Sequence, residues 1–317
     1  MRRLDTIDLR LLRVFATLAE AGGFADAQVA LNLSASTLST HLAALERKLG
    51  SRLCERGRGG FRLTPFGEAT YRAAKQLFSD LESFSQRLGE QRGRLVGRLR
   101  IGIVDGVVTC PELGLQTAIG RLMEKAADVT IDLMLGTPYD LERAIADGQR
   151  DIVIGPFSQR APNITYAPIY RERNALYCGR EHPLFAMPAA RISEQEIAQS
   201  AFSVRGYRHL DDLYRVNHPR ASATVVHMEA QSMLILSGRY IGFLPCHIAA
   251  GYEADGAMRA LRPERYSFES QHFAATRKSD ADSALLAAFL PELKRQARSA
   301  ERTREKTLVA ADIASHR

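Results

Sequence analysis

The chain has 317 residues, which is long enough for two or three domains with hydrophobic cores of their own. Its apolar content of 45% and charged content of 25% are those of an ordinary soluble protein, and it has neither an 18-residue apolar run nor an apolar signal core, so we expect a cytoplasmic protein with no membrane partner. The net charge of +7 favours a polyanionic partner, although basic charge alone is a weak discriminator.

The first fifty residues carry the pattern of three short helices. An apolar stripe predicts a helix over residues 5–20, and residues 25–32 predict a second one. Ser34 is a good N-cap for the third helix, and Gly50 suits the left-handed position that ends it. One face of this third helix is apolar at helical spacing, through Leu38, Leu42, Leu45 and Leu49. The opposite face is polar, which predicts a helix-turn-helix sized for the DNA major groove; on this pattern alone, an αα-hairpin without DNA is about equally compatible.

A basic β-hairpin follows and favours DNA binding. Residues 52–56 and 61–63 have the pattern of two strands around a glycine-rich turn. Arginines near its tip can contact phosphate, namely Arg56, Arg58 and Arg62. Thr64 and Pro65 then predict a helix start, with Thr64 as the N-cap.

Residues 4–67 resemble the winged helix-turn-helix of LysR-type transcriptional regulators. The resemblance implies binding to double-stranded operator or promoter DNA. Ala35-Ser36 stand where the family commonly has Gln-Pro, and Cys54 stands where it has Phe. Because the missing Gln is a potential base-edge donor, the DNA sequence preference does not carry over from relatives. The matching positions are Leu11, Phe15, Leu18, Phe24, Ala27, Leu31, Ser34, Ser39, Leu42, Leu45, Glu46, Leu49, Gly50, Leu53, Arg56, Leu63, Thr64 and Gly67.

A long helix is predicted from Pro65 to about Arg92. At about 1.5 Å per residue it is roughly 40 Å long, so its own chain offers too few neighbours to cover its apolar stripe. The same helix of a second subunit is the expected partner, and packing against the C-terminal domain of its own chain is the alternative. In LysR-type regulators this is the dimer-forming linker helix, and we expect a dimer within a homotetramer, with RNA polymerase as a further possible partner. The stripe consists of Phe66, Ala69, Ala73, Leu77, Leu81, Phe84 and Leu88.

From Leu99 onward, strands alternate with helices, which predicts βαβ units and a mostly parallel sheet. The strand of residues 99–104 precedes a helix from Pro111 to about Lys125, and the alternation continues through a second lobe. This part resembles the periplasmic-binding-protein-like effector domain of the same family. The predicted fold is therefore α/β in class, with the domains 1–64 (winged helix-turn-helix), 65–97 (linker helix and hinge), 98–300 (effector domain) and 301–317 (charged tail). Within the effector domain we expect lobe I at about 98–169 and 272–298, and lobe II at about 170–271.

The polar face of the third helix supplies the candidate DNA-binding residues. We expect its early positions to contact base edges, and the flanking cations to contact phosphate and set the register. A solvated surface charge is the alternative for each arginine. The candidates are Ser34, Ser36, Thr37, Ser39, Thr40, His41, Arg47, Arg56 and Arg58, with Lys48 as a further phosphate contact.

The cleft between the lobes is the predicted effector site, because ligands of such sheets bind beyond the carboxyl ends of the strands. Arg205 could pair with an effector carboxylate, whereas Asp105 would repel an anion unless neutralised. An acid effector is slightly favoured over one bearing both an amine and an acid, and cleft-rim charges are the alternative for Arg205 and Glu229. The candidates are Asp105, Gly106, Val107, Thr137, Ser203, Arg205, Tyr207, His227 and Glu229.

Other chemistries find little in the sequence. The histidines show no metal-ligand spacing, and the four cysteines, Cys54, Cys110, Cys178 and Cys246, are far apart with no CxxC, so we expect no metal, no cofactor and no redox pair. No GxSxG, P-loop, GxGxxG after a strand or HExxH occurs, so we expect no enzyme. The rival interpretations are a solute-binding module without a DNA role, which leaves the basic head unexplained, and an α/β enzyme, which lacks a nucleophile–base pair.

Overall fold

The computed structural model describes residues 6–57, 60–90, 95–158 and 160–297. Contacts divide the chain into two units, Met1–Gln86 with Asp147–Gln149, and Arg87–Ala146 with Arg150–Arg317. The helices are α1 (Thr6–Glu20), α2 (Phe24–Leu31), α3 (Ala35–Leu49), α4 (Pro65–Glu90), α5 (Leu115–Lys125), α6 (Pro138–Ala146), α7 (Glu194–Gln199), α8 (His209–Arg215), α9 (Met228–Leu236), α10 (Cys246–Ala254) and α11 (284–297). The strands are β1 (Cys54–Gly57), β2 (Gly60–Leu63), β3 (Gly97–Ile103), β4 (Val129–Leu135), β5 (Ile152–Gly155), β6 (Ile164–Gly179), β7 (Ala201–Arg205), β8 (Ala223–Val225), β9 (Tyr240–Pro245), β10 (Met258–Ala260) and β11 (Ser267–Arg277).

The apolar stripes of α1 and α3 meet in the core of the first unit. Phe15 and Leu18 of α1 and Leu45 of α3 are fully buried there. The ends of α3 are set by its sequence: the Ser34 hydroxyl accepts a hydrogen bond from the Thr37 amide at 3.2 Å, and Gly50 adopts φ 76°. Both signals were predicted, and both are confirmed.

The wing hairpin is fixed to this core on two sides. Its strands β1 and β2 pair antiparallel, and the Phe61 ring packs edge-on against Phe24 of α2 with ring centroids 6.2 Å apart. The Glu46 side chain of α3 accepts the Leu53 amide at 2.8 Å. Gly67 allows α4 to start against the hairpin, because a Cβ at that position would lie 1.8 Å from the Leu53 carbonyl oxygen. The predicted N-cap is confirmed, since the Thr64 hydroxyl accepts the Gly67 amide at 2.9 Å.

Helix α4 carries large apolar side chains that are exposed to solvent. Leu81 is 39% exposed, Phe84 54% and Leu88 51%. These side chains belong to the stripe that the sequence predicted to need a partner. The predicted hinge consists of residues 91–94, which lie outside the described residues, and of Gly97 and Arg98, which instead begin strand β3. The predicted tail at 301–317 also lies outside the described residues.

The second unit is built on a nine-stranded mixed sheet, in the order β4-β3-β5-β11-β6-β9-β7-β8 with β10 beside β6, as far as the described residues show. The pairs β3–β4, β3–β5, β7–β8 and β7–β9 are parallel. The strands β6 and β11 pair antiparallel with each other and join the two parallel parts. The prediction of a parallel sheet therefore holds within each lobe, and the crossing strands are the antiparallel exception.

Each lobe has its own core. In lobe I, the strands β3 and β5 pack with α5 and with Leu285, Phe289 and Leu293 of α11, so the last helix packs on the lobe to which the sequence assigned residues 272–298. In lobe II, Phe202 and Phe243 anchor a second core. The pairing of β6 with β11 shifts by one residue between His272 and Phe273, where the two strands pass from one lobe to the other.

Two local predictions need correction. The helix expected from Pro111 begins at Leu115, because Gly114 adopts a left-handed φ of 55° and the preceding residues form a turn. The short strand β10 was not predicted at all. No helix in the described part of the chain is long and apolar enough to cross a membrane.

Candidate functional site

The first candidate site is the outer face of α3. Ser36, Thr40, Ala43 and Arg47 are exposed and follow one another at spacings of four, three and four, so they form one line along the helix. The Thr40 hydroxyl donates to the Ser36 carbonyl at 2.9 Å, and Arg47 Nε to the Ala43 carbonyl at 3.3 Å. Three of the four side chains are small, so the helix backbone can approach base edges closely.

The N-terminus of α3 carries a cluster of hydroxyl groups. The Ser34 oxygen lies 2.9 Å from the hydroxyls of both Ser36 and Thr37. Hydroxyls and free amides at a helix N-terminus are good partners for a phosphate oxygen. Ser34 is thus engaged in capping, and Ser36 keeps an exposed hydroxyl.

The remaining DNA candidates are less accessible or lie outside the description. Thr37, Ser39 and His41 are half-buried, and the His41 Nδ1 atom is covered and makes no hydrogen bond within the described part of the chain. His41 therefore lies at the margin of the exposed face. Arg58 and the side chain of Arg56 lie outside the described residues.

The second candidate site lies between the two lobes. Asp105 follows β3 in lobe I, and its carboxylate accepts a hydrogen bond from the Met228 amide at the start of α9 in lobe II. His227 Nδ1 lies 3.5 Å from the same carboxylate oxygen. Gly106 also faces lobe II, since a Cβ there would lie 2.6 Å from Ile248 Cδ1. The loop after β3 thus contacts lobe II, and its acid occupies a helix N-terminus that favours negative charge.

Arg205 is part of the structure of lobe II and is not a charge on the cleft rim. It is 2% exposed and Asp212 is 0% exposed, and their side chains form a bidentate pair with N···O distances of 2.7 and 3.0 Å. A third bond goes to Asn174 Oδ1 at 3.1 Å. Burial would lower the pKa of Arg205, but Asp212 outweighs burial and raises it. The prediction that Arg205 is available for an effector carboxylate is therefore wrong.

A buried acid on the crossing strand β6 links several parts of the effector domain. Glu172 accepts a hydrogen bond from His247 at 3.2 Å, and His272 lies 3.9 Å away on the other crossing strand. The second ring nitrogen of His247 is 2.9 Å from the Thr109 hydroxyl of lobe I. Burial would raise the pKa of Glu172, but the His247 bond and neighbouring positive charges lower it overall. Burial lowers the pKa of His272, which favours its neutral form.

Arg208 is a second, half-buried cation of this region. Its Nη2 atom donates to the Ser270 hydroxyl at 2.6 Å, and no carboxylate of the described residues lies within ion-pair distance of it. Burial, and then the charge of Arg205, lower the pKa of Arg208. Burial also raises the pKa of Tyr207 to about 12.

The other effector candidates differ in whether their side chains are free to meet a ligand. The Thr137 hydroxyl caps α6 through the Asp140 amide at 3.2 Å, and Val107 is buried in lobe I. Ser203 is fully buried, and its hydroxyl donates to the Ile241 carbonyl at 3.3 Å, so the expectation that this hydroxyl is offered to a ligand is corrected. Glu229 is exposed at the start of α9.

Sequence reasoning missed most of the polar cluster. Glu172, Asn174, Ser270 and His272 lie on crossing strands, where an alternating strand pattern gives no sign of which face meets a cleft. The sequence offers a weak indication of Arg208, because this residue lies just beyond the end of β7, beside the predicted candidates Arg205 and Tyr207. In the described residues, no group of three His, Cys, Asp or Glu side chains is arranged to hold a metal ion. All four cysteines are free.

A helix-turn-helix with an exposed polar helix, together with a two-lobed α/β domain with charged groups between its lobes, defines a ligand-responsive DNA-binding regulator. Family models agree: "Bacterial regulatory helix-turn-helix protein, lysR family" matches residues 9–68, and "LysR substrate binding domain" matches residues 92–298. The chain belongs to the LysR family of transcriptional regulators.

Similar proteins include regulators of the same type. The chain is 35% identical over 290 residues to the HTH-type transcriptional activator BauR of Pseudomonas aeruginosa, which covers 91% of this chain and 95% of that protein. Among solved structures, CbnR, a LysR family transcriptional regulator, matches with a TM-score of 0.65 at 20% identity, over 91% of this chain and 99% of that one. Full-length OxyR from Pseudomonas aeruginosa matches with a TM-score of 0.62 at 20% identity, over 92% and 96%. These two likenesses concern the fold.

Proposed function

We propose that this LysR-type regulator reads its operator with the line Ser36, Thr40, Ala43 and Arg47 of α3, and that a small effector in the interlobe cleft changes how it holds DNA. The observation that carries the proposal is this exposed line on a helix whose other face is fully engaged in the core. A solute-binding module without a DNA role leaves the exposed line unexplained.

The test of DNA reading compares variants on cognate and random DNA. Thr40→Ala removes a central hydroxyl and should weaken cognate binding selectively. Arg47→Ala removes a cation and should weaken both equally, and the slope of log K against log salt should fall by about 0.9 if one phosphate contact is lost. Equal selective losses for both variants would contradict this division of roles. The same measurement applies to Arg56 and Arg58, which we propose as phosphate contacts.

The subunits are proposed to dimerise through α4 and to assemble further into a tetramer. The support is the exposed apolar stripe that includes Leu81, Phe84 and Leu88. Phe84→Glu should lower the molar mass measured by light scattering and weaken operator binding. Glu82→Ala is the control, since residue 82 lies about 200° around the helix from residue 84. An unchanged molar mass for Phe84→Glu would refute the interface.

We further propose that the effector carries a carboxylate bound by Arg208. A half-buried guanidinium that donates to a hydroxyl and forms no ion pair among the described residues is a suitable group for this role. Operator bending, measured with increasing effector, should change at saturation for the wild type but not for Arg208→Gln. Unchanged bending of the wild-type complex at saturation would refute ligand control of the DNA geometry.

Activation of transcription is part of the proposal, because the relative BauR is named as an activator. It implies contact with RNA polymerase at the promoter and a location in the cytoplasm, where the DNA lies. In vitro transcription with purified polymerase, with and without the protein, tests it. We propose no enzymatic role for the chain.

A further inference from the structure

We propose that the effector is a small amino acid, whose carboxylate is bound by Arg208 and whose ammonium group is bound by Asp105. This inference rests on the proposed function in one respect, that the interlobe cleft is the effector site. It adds the second charge of the ligand and the residue that recognises it.

Two groups of opposite sign, Asp105 of lobe I and Arg208 of lobe II, have no Lys, Arg or carboxylate partner within ion-pair distance among the described residues. Arg205 and Asp212 neutralise each other in a bidentate pair, and Glu172 is hydrogen-bonded to His247. Asp105 is bound by the Met228 amide with His227 nearby, and Arg208 donates to the Ser270 hydroxyl. A ligand with one positive and one negative group supplies a partner for both signs.

Tyr207 connects the two charged groups in space. Its side chain packs in the same apolar cluster as Met228, whose amide donates to the Asp105 carboxylate, and Arg208 is the next residue along the chain. Arg208 lies near the crossing strand β11, because its guanidinium donates to Ser270 at 2.6 Å. The two ends of a small ligand near Tyr207 can therefore meet charges of opposite sign.

Asp105 retains capacity to bind an ammonium group. Among the described residues, the Met228 amide and His227 both contact one oxygen atom of its carboxylate, Oδ2. A carboxylate has about four acceptor positions, so the second oxygen can accept from a ligand. Because its side chain is only 15% exposed, water screens such a contact less than it would at the surface.

Ligands with a single charge fit less well. A simple carboxylate satisfies Arg208 but adds negative charge beside Asp105 and Glu172. A simple amine satisfies Asp105 but leaves the partly buried Arg208 without an anion. Removing one partner of a desolvated charge pair is the costly case in protein interiors.

The test measures binding to the full-length protein by calorimetry and by the shift of the thermal midpoint. The probes are the twenty L-amino acids and the straight-chain ω-amino acids from glycine to 5-aminopentanoate. For each amino acid that binds, the acid without its amino group and the amine without its carboxyl group are measured as well. We expect at least one amino acid to bind and both truncated forms to bind about 10- to 100-fold more weakly, as for loss of a charged hydrogen bond.

Three variants locate the two ends of the ligand. Asp105→Asn keeps an oxygen for the Met228 amide and removes only the charge, and it should weaken the amino acid but not the acid that lacks the amine. Arg208→Gln keeps a donor for Ser270 and should weaken both. Glu264→Gln removes an exposed acid of lobe II that lies outside the candidate site, where it pairs with Arg262, and should change neither.

The amino-acid assignment is overturned if the acid without the amine binds as tightly as the amino acid, or if Asp105→Asn binds as the wild type does. It is also overturned if no amino acid binds at 10 mM (about a hundredfold excess over an affinity of 0.1 mM). The proposed function fails separately, if wild-type operator bending does not respond to any compound of a broad metabolite library. A simple acid that alters bending would refute the amine and preserve the effector site.

Discussion

The buried pair of Arg205 and Asp212 makes a sharp prediction about lobe II. Asp212→Asn keeps the size of the side chain and removes its charge, which leaves a guanidinium that is 2% exposed without a counterion. Asn174 still accepts one hydrogen bond at 3.1 Å but carries no charge. We therefore expect a local loss of stability much larger than that of a surface ion pair.

The expected size follows from the burial of both partners. Breaking a buried pair by removal of one partner costs about 3–5 kcal/mol, and 1.36 kcal/mol corresponds to a factor of ten. Protection of the amides of β7 and β9 should then fall by about 150- to 5,000-fold. The double variant Arg205→Met, Asp212→Leu removes both charges, so its protection should return to within about tenfold of wild type.

Hydrogen exchange with peptide-level mass spectrometry provides the measurement on the full chain. Glu264→Gln removes the exposed partner of Arg262, at 3.3 Å, and serves as the control that should leave protection unchanged. A loss below tenfold for Asp212→Asn, or a double variant as unprotected as the single one, would show that the charge pair does not hold lobe II together.

Two further substitutions test other parts of the structure. Gly67→Ala places a Cβ 1.8 Å from the Leu53 carbonyl oxygen, so it should destabilise the winged head by about 1–3 kcal/mol in thermal unfolding. The control is Gly120→Ala on α5, whose Cβ meets nothing within 4 Å, and it should be neutral or stabilising. Equal effects of the two variants would refute the close approach at Gly67. The pKa of Glu172 lies below the usual 4.5. The stability that its charged form contributes to the folded protein is therefore complete above pH 4.5 and is lost as the pH falls through the folded-state pKa. Thermal midpoints measured over a series of pH values should show a smaller acid-side loss for Glu172→Gln than for the wild type. An identical acid slope in Glu172→Gln and wild type would contradict the prediction.

The sequence predicted best what is decided locally. The ends of α3 follow from a capping serine and a left-handed glycine, and α4 begins after the predicted cap Thr64. The predicted start of the helix at Pro111 was wrong, because the apolar periodicity does not show that Gly114 adopts a left-handed conformation. Short-range signals fix helices, and a single glycine can move a boundary by four residues.

The polar cluster of the cleft was harder to predict because its members come from distant segments. Glu172, His247 and His272 meet only after β6 and β11 have paired and α10 has packed beside them. Arg205 was predicted to pair with an effector carboxylate, but its partner is Asp212, one turn into the next helix, and the sequence does not show that this pair is buried. The class of protein was therefore predictable from sequence patterns, whereas the contacts of individual charged side chains depend on how distant segments pack in the folded chain.

The register shift between His272 and Phe273 has a mechanical meaning for this chain. An extra residue in one of two paired strands bends the ribbon and weakens its ladder locally, so flexure concentrates there. His272 stands at that point and faces Glu172, which reaches lobe II through His247 and lobe I through Thr109. A molecule that displaces these side chains would therefore act at the place where the regular pairing of the two crossing strands is interrupted.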